Sequence, residues 1–158
     1  MKRTLFAIVL IGVLGPAAAA DWLQFRGPGG LGIAPDKGMP LKWSADTNLA
    51  WKAELPGPGA SSPIVVGDRV FVTCYSGYGL SKDEPGDQKN LKRHLVCVDR
   101  KTGKMLWTRD VAALVPEPNY AGFQSLHGYA SSTPVSDGKN VYVFFGKTGV
   151  FAFDLDGK

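Results

Sequence analysis

The sequence predicts an all-β chain: a β-propeller of four-stranded antiparallel blades, incomplete, with about two blades present. Three observations carry this. Twenty glycines and eleven prolines stand among abundant Val, Phe, Tyr and Trp, without any long segment of helical period. A strand–turn–strand unit occurs twice, "GASSPIVVGDRVFVT" over residues 59–73 returning as "GYASSTPVSDGKNVYVFF" over 128–145. "LVCVDRKTGKMLW" is then answered by "VFAFDLDGK", Asp99 matching Asp154 and Gly103 matching Gly157. The strands are near-continuous apolar runs, as expected where both faces are covered, and a ring of small sheets provides that covering.

Residues 1–20 read as a secretory signal peptide: Lys2 and Arg3 precede an apolar run from Leu5 to Leu14, and Ala18-Ala19-Ala20 supplies a cleavage site before Asp21. The apolar run is shorter than the roughly 20 residues a membrane span needs. A periplasmic or secreted location is expected, with no transmembrane segment after cleavage; an uncleaved anchor is the alternative. Loss of Lys2 and Arg3 leaves 16 basic against 14 acidic side chains, a net charge of +2, so charge does not point to nucleic acid.

Residues 21–47 form an N-terminal extension, and 48–158 a partial propeller domain. The segment "NLAWKAEL" at 48–55, with Trp51, has the character of a blade's fourth strand and could close the last blade of a ring. The first blade is predicted over residues 61–66, 69–75, 93–99 and 104–110, and the second copy shows the first three strands only. A closed ring needs about four to eight blades, so a truncated longer gene is expected, with assembly of several copies as the alternative. At the turn between the third and fourth strands, Asp99 can cap backbone amides, while Thr102 and Gly103 supply a hydroxyl and a permissive backbone. Trp107 follows as a large ring suited to wedge between blades, its indole N–H needing a partner there.

The spacing A-x-D-x-x-T-G-K-x-x-W, with Cys97 in the usual alanine place, resembles the signature of the pyrroloquinoline-quinone-like propeller repeat. That repeat is found in quinoprotein alcohol dehydrogenases and in the outer-membrane assembly factor BamB. "DWLQFRGPGG" and "HGYASSTPV" are similar to secreted members from planctomycete-like bacteria. The resemblance implies fold more firmly than activity, because the family holds enzymes and cofactor-free scaffolds alike. The vicinal cysteine pair of the catalytic quinoproteins has no counterpart in residues 21–158. No cofactor is therefore expected; pyrroloquinoline quinone with calcium would require a site supplied by missing blades.

Other motifs point to structure. "GPGGLG" at 27–32 fits G-x-G-x-x-G, but Pro35 follows and no helical pattern does, while the "GKTG" beginning at Gly146 lacks the first glycine of a phosphate loop. His94 and His127 have no recognised metal-ligand spacing. Ser61, Ser62, Ser131 and Ser132 recur at one repeat position, which suits hydroxyls serving strand-entry backbone. Cys74 and Cys97 lie on successive strands, where a bridge and two buried thiols are both open. The long connections 76–92 and 111–130 should emerge on one face, since a four-stranded meander crosses the sheet once per strand. Tyr75, Tyr78, Tyr120, Phe123, His127 and Tyr129 make that face the candidate binding surface, with a plug of the propeller mouth as its alternative reading. The expected function is a secreted or periplasmic scaffold binding a protein, peptide or cell-envelope polymer, without catalysis by this chain. A fragment of a quinone-dependent alcohol or sugar dehydrogenase is the alternative.

Overall fold

The structure, a computed structural model, describes residues 20–158; the expected signal peptide, residues 1–20, lies outside them except for Ala20. The first sheet contains β1 (Ile64–Val66), β2 (Arg69–Ser76), β3 (Lys92–Asp99) and β4 (Met105–Ala112), in the order β1-β2-β3-β4 with every pair antiparallel. The second contains β5 (Val135–Ser136), β6 (Asn140–Phe144) and β7 (Val150–Asp154), again in chain order and antiparallel. Among the described residues, helix is confined to the four-residue α1 (Gln124–His127) and single 3-10 turns. The family of small meander sheets is thus present as one four-stranded and one three-stranded unit.

Apolar runs make these strands because both faces of the first sheet are covered. From β3, Leu95 and Cys97 point into a core shared with Ile64, Val66 and Phe71 of their own sheet and Val141, Val143 and Phe145 of the second. Val96 and Val98 point the other way, joining Cys74 under Trp51 and Ala53. Successive residues of a strand face opposite sides, so an unbroken apolar run serves two interfaces.

β1 is shorter than expected because Ser61 replaces the ladder with its side chain: its Oγ accepts from Thr73 N at 3.1 Å and donates to Thr73 O at 2.9 Å. Of the four recurrent serines, Ser61 is the one whose hydroxyl serves strand-entry backbone in this way. The extension also participates in the fold. Trp22 exchanges both main-chain bonds with Val65, at 2.9 Å each, and Leu23 O accepts from Ser136 N at 2.8 Å, so it links β1 with β5.

One expectation needs correction, and one open alternative is decided. Residues 48–55 form no strand, because no neighbouring strand among the described residues offers them a ladder. They pack on the first sheet through Trp51. Cys74 and Cys97 are free thiols. Cys74 stands opposite His94 whereas Cys97 stands opposite Phe71; positions 71 and 74 differ by an odd number, so the sulfurs lie on opposite faces of the sheet. Burial pushes both thiols up to about 11.

The turns between third and fourth strands explain the motif spacing. Asp99 Oδ1 accepts from Lys101 N at 3.1 Å and from Thr102 N and Oγ1 at 2.7 Å each. These bonds, Thr102's first, hold its carboxyl below the usual carboxylate range. Gly103 takes φ +72°, and a Cβ there would stand 2.6 Å from the Trp51 ring. The second copy repeats the arrangement: Asp154 Oδ1 accepts from Asp156 N and Lys158 N at 2.9 and 2.8 Å. Trp51 Nε1 donates to Arg100 O at 2.8 Å, and Trp107 Nε1 to Leu155 O at 3.1 Å. Each acceptor is the residue after the turn's aspartate, so the two tryptophans occupy equivalent places one blade apart. Trp107 is partly buried, packed against the inter-sheet core from the edge strand β4.

Candidate functional site

In the first sheet, β2 and β3 run to the pair Ser76–Lys92, and Lys92 pairs in turn with Ala112. The connections after β2 and β4 therefore leave from the same end, opposite the turns at Gly67-Asp68 and Lys101-Thr102-Gly103. They are packed together by tyrosines: Tyr75, Tyr78 and Tyr129 are buried with Leu91 and Ala130, and Tyr120 lies against them. Tyr129 meets Tyr75 edge-on at 5.4 Å between ring centroids and Tyr78 at 5.5 Å. The hydroxyls are satisfied on the loops' own backbone, Tyr75 donating to Gly79 O at 2.9 Å and Tyr129 to Pro118 O at 2.7 Å. Burial pushes the Tyr75 hydroxyl up to about 12. Two glycines make room for the rings, since a Cβ on Gly79 would come within 2.7 Å of Tyr120 and one on Gly128 within 2.3 Å of Tyr75.

Of the six aromatics expected on this surface, Tyr75, Tyr78 and Tyr129 are thus interior groups that glue the two loops. Tyr120 is half-buried, and Phe123 and His127 are exposed. A large apolar ring gains more from burial than from display, and these loops are long enough to fold over three of them. Phe123 and His127 meet across α1 at 4.3 Å between ring centroids, tilted by 39°, and Leu126 is 73 % exposed. Sequence reasoning missed Leu126, although its place between two surface rings on a short helical turn was a usable signal.

Beneath the exposed group, Arg93 anchors the assembly. Its guanidinium meets Glu117 Oε1 at 2.7 Å, with both side chains buried, and donates to Tyr129 O at 2.8 Å and to Thr148 Oγ1 at 3.0 Å. Gln88 ties the first long loop to the second, donating to Glu117 O and accepting from Glu117 N at 2.8 Å each. Between α1 and β6 lies a cavity of about 220 Å³ whose lining includes Arg93, Phe123, His127, Tyr129, Ser131 and Phe144. A second of about 230 Å³, which also touches His127, includes Tyr120 and Leu126.

At the same end of the sheet, pairing brings together three residues that the sequence keeps apart. His94 Nε2 lies 2.8 Å from Ser76 Oγ, and His94 Nδ1 lies 2.9 Å from Asp110 Oδ1. The three come from β2, β3 and β4. No spacing in the sequence marks them, because their proximity is created by the ladder.

Among the described residues no group of three or more His, Cys, Asp or Glu side chains is placed to hold a metal ion. Three arginines are engaged within the fold: Arg93 with Glu117, Arg69 with Asp156 and Leu155 O, Arg109 with Gly157 O and the Trp107 ring. "GPGGLG" holds a single 3-10 turn, Pro28–Gly30, with no helix behind it, and "GKTG" forms the β6–β7 turn. Among the described residues, no helix is long and apolar enough to cross a membrane.

A comparison with family models matches residues 33–158 to the family described as outer membrane protein assembly factor BamB. No curated protein matches the chain.

Proposed function

The chain belongs to the outer membrane protein assembly factor BamB family, and from that premise we propose that it is a secreted or periplasmic propeller scaffold that binds a protein, peptide or envelope polymer. The observation that carries the reading is the exposed Phe123–Leu126–His127 group, held on a foundation of buried tyrosines and the Arg93–Glu117 pair. Solvent-facing apolar side chains on rigid backbone bind with little ordering cost, which is how recognition surfaces reach useful affinity.

The binding role needs no quinone. Immobilised chain, incubated with detergent-solubilised envelope extract from its own source, should retain a partner that the combined Phe123→Ser, Leu126→Ser, His127→Ser variant does not retain. Melting temperatures should agree within a few degrees, because the three side chains are exposed. Equal retention by the folded variant would remove this face from the binding role. Calorimetric titration with pyrroloquinoline quinone and calcium should give no stoichiometric binding; a saturable signal would favour a dehydrogenase fragment instead.

A further inference from the structure

We propose that Ser76, His94 and Asp110 form a nucleophilic triad that hydrolyses carboxylic esters with small acyl groups, an activity beyond the binding role and independent of it. Ser76 Oγ stands 2.8 Å from His94 Nε2, and His94 Nδ1 2.9 Å from Asp110 Oδ1. An ionised carboxylate only accepts, so in the neutral imidazole the proton resides on Nδ1 and the Nε2 lone pair faces the serine hydroxyl. That is the polarity of a serine activated by a general base, which is recognised by geometry rather than by chain order.

The surroundings separate this serine from others on the sheet. Ser61 exchanges both its bonds with the Thr73 backbone and has no base beside it. Ser76 ends β2, and Gly77 turns the chain away at φ +83°, where a Cβ would stand 1.9 Å from Asn90 O. A nucleophile at a sharp turn after a strand presents its oxygen at the end of the sheet. The triad is open on the Asp110 side, whose side chain is 52 % exposed, while that of His94 is 4 % exposed. Lys92 is the register partner of Ser76 and is exposed. Directly opposed residues share a face, so the Lys92 side chain leaves from the serine's side of the sheet and is the cation this proposal assigns to the oxyanion. Neither of the two cavities described above is lined by Ser76, His94 or Asp110, so a small acyl group is assigned rather than a long chain.

In the first step Ser76 Oγ bonds to the ester carbonyl carbon as its proton passes to His94 Nε2. The ester C–O bond then breaks and the leaving alkoxide takes that proton. Water, deprotonated by His94, attacks the acyl-serine, releasing the carboxylic acid and returning the proton to Ser76. No oxidant, metal or further reactant is needed.

The test uses the full chain with p-nitrophenyl acetate and, separately, a fluorophosphonate probe followed by peptide mapping. We expect the probe on Ser76, turnover falling to background in Ser76→Ala, and a loss of about 100-fold or more in kcat for Asp110→Asn, which removes the charge that holds the histidine tautomer. Lys92→Met should lower kcat more than it raises KM. Ser61→Ala should leave the rate unchanged. Asp110 is exposed, so its variant should fold even if replacement of buried His94 does not, and thermal melting verifies this. A folded parent that takes no probe, a probe mapped to another residue, or a Ser76→Ala rate equal to the parent's would overturn the proposal.

Discussion

Trp107 donates its indole N–H to the carbonyl of Leu155 at 3.1 Å, tying the outer strand of the first sheet to the last turn of the second. Its ring lies 5.7 Å from Phe71 and packs on the inter-sheet core, while the Arg109 guanidinium sits 5.3 Å from its centroid. Replacement Trp107→Ala should cost about 3 kcal/mol, the lower end for a large aromatic because the ring is packed on the core but not fully buried. Trp107→Phe keeps most of the packing and should lose about 1 kcal/mol with the hydrogen bond. Chemical denaturation of the three proteins checks the order; equal stability of Phe and Ala variants would show that the ring contributes nothing between the sheets.

The tyrosine cluster makes a sharper demand on Gly128. Its φ of +65° disfavours a side chain, and a Cβ would stand 2.3 Å from the Tyr75 ring. Gly128→Ala should therefore separate the long loops. Limited proteolysis should cut residues 77–91 and 113–128 faster than in the parent, whereas Gly146→Ala, which meets nothing within 4 Å, should show only backbone strain. An unchanged cleavage pattern in Gly128→Ala would mean that the tyrosines do not hold the loops.

Removing one partner of a buried ion pair strands the other. Glu117→Gln should cost about 3–5 kcal/mol because Arg93 keeps a buried charge, while a double change of Arg93→Met with Glu117→Leu should be milder. The comparison by thermal melting isolates desolvation from lost attraction. If the single variant proves the more stable, the pair is not the anchor of this face.

Cys74 and Cys97 carry a pH dependence of definite sign. Burial raises each folded thiol from 9.0 to about 11, so the folded state binds these protons more tightly than the unfolded chain. Their contribution is complete below pH 9 and is lost as pH rises towards 11, at roughly 2–3 kcal/mol per thiol. Double replacement by alanine should flatten the alkaline limb of the stability curve. Both thiols should also resist a disulfide-exchange reagent at pH 8 until denaturant is added; rapid reaction of the native chain would contradict their burial.

The sequence by itself determined what local chemistry and repetition can specify. Asp99, Thr102 and Gly103 announce a turn because their hydrogen bonds and backbone freedom operate within five residues, and the same turn recurs at Asp154 and Gly157. The repeat also announces sheets covered on both faces, since only neighbours of like shape can bury unbroken apolar runs. Tertiary structure alone decided where side chains land. An irregularity in the ladder between Cys97 and Val98 brings Trp107 opposite Cys97, although Val98 pairs with Met105, so one extra residue turns the indole towards the inter-sheet core. The same dependence on register puts Cys74 and Cys97 on opposite faces and brings Ser76, His94 and Asp110 within hydrogen-bonding reach. Burial of Tyr75, Tyr78 and Tyr129 arises from two loops folding onto each other, while Phe123 and Leu126 remain outside on α1. A one-residue step reverses a strand's face, and loop closure depends on distant partners; neither quantity is written in the spacing of residue types along the chain.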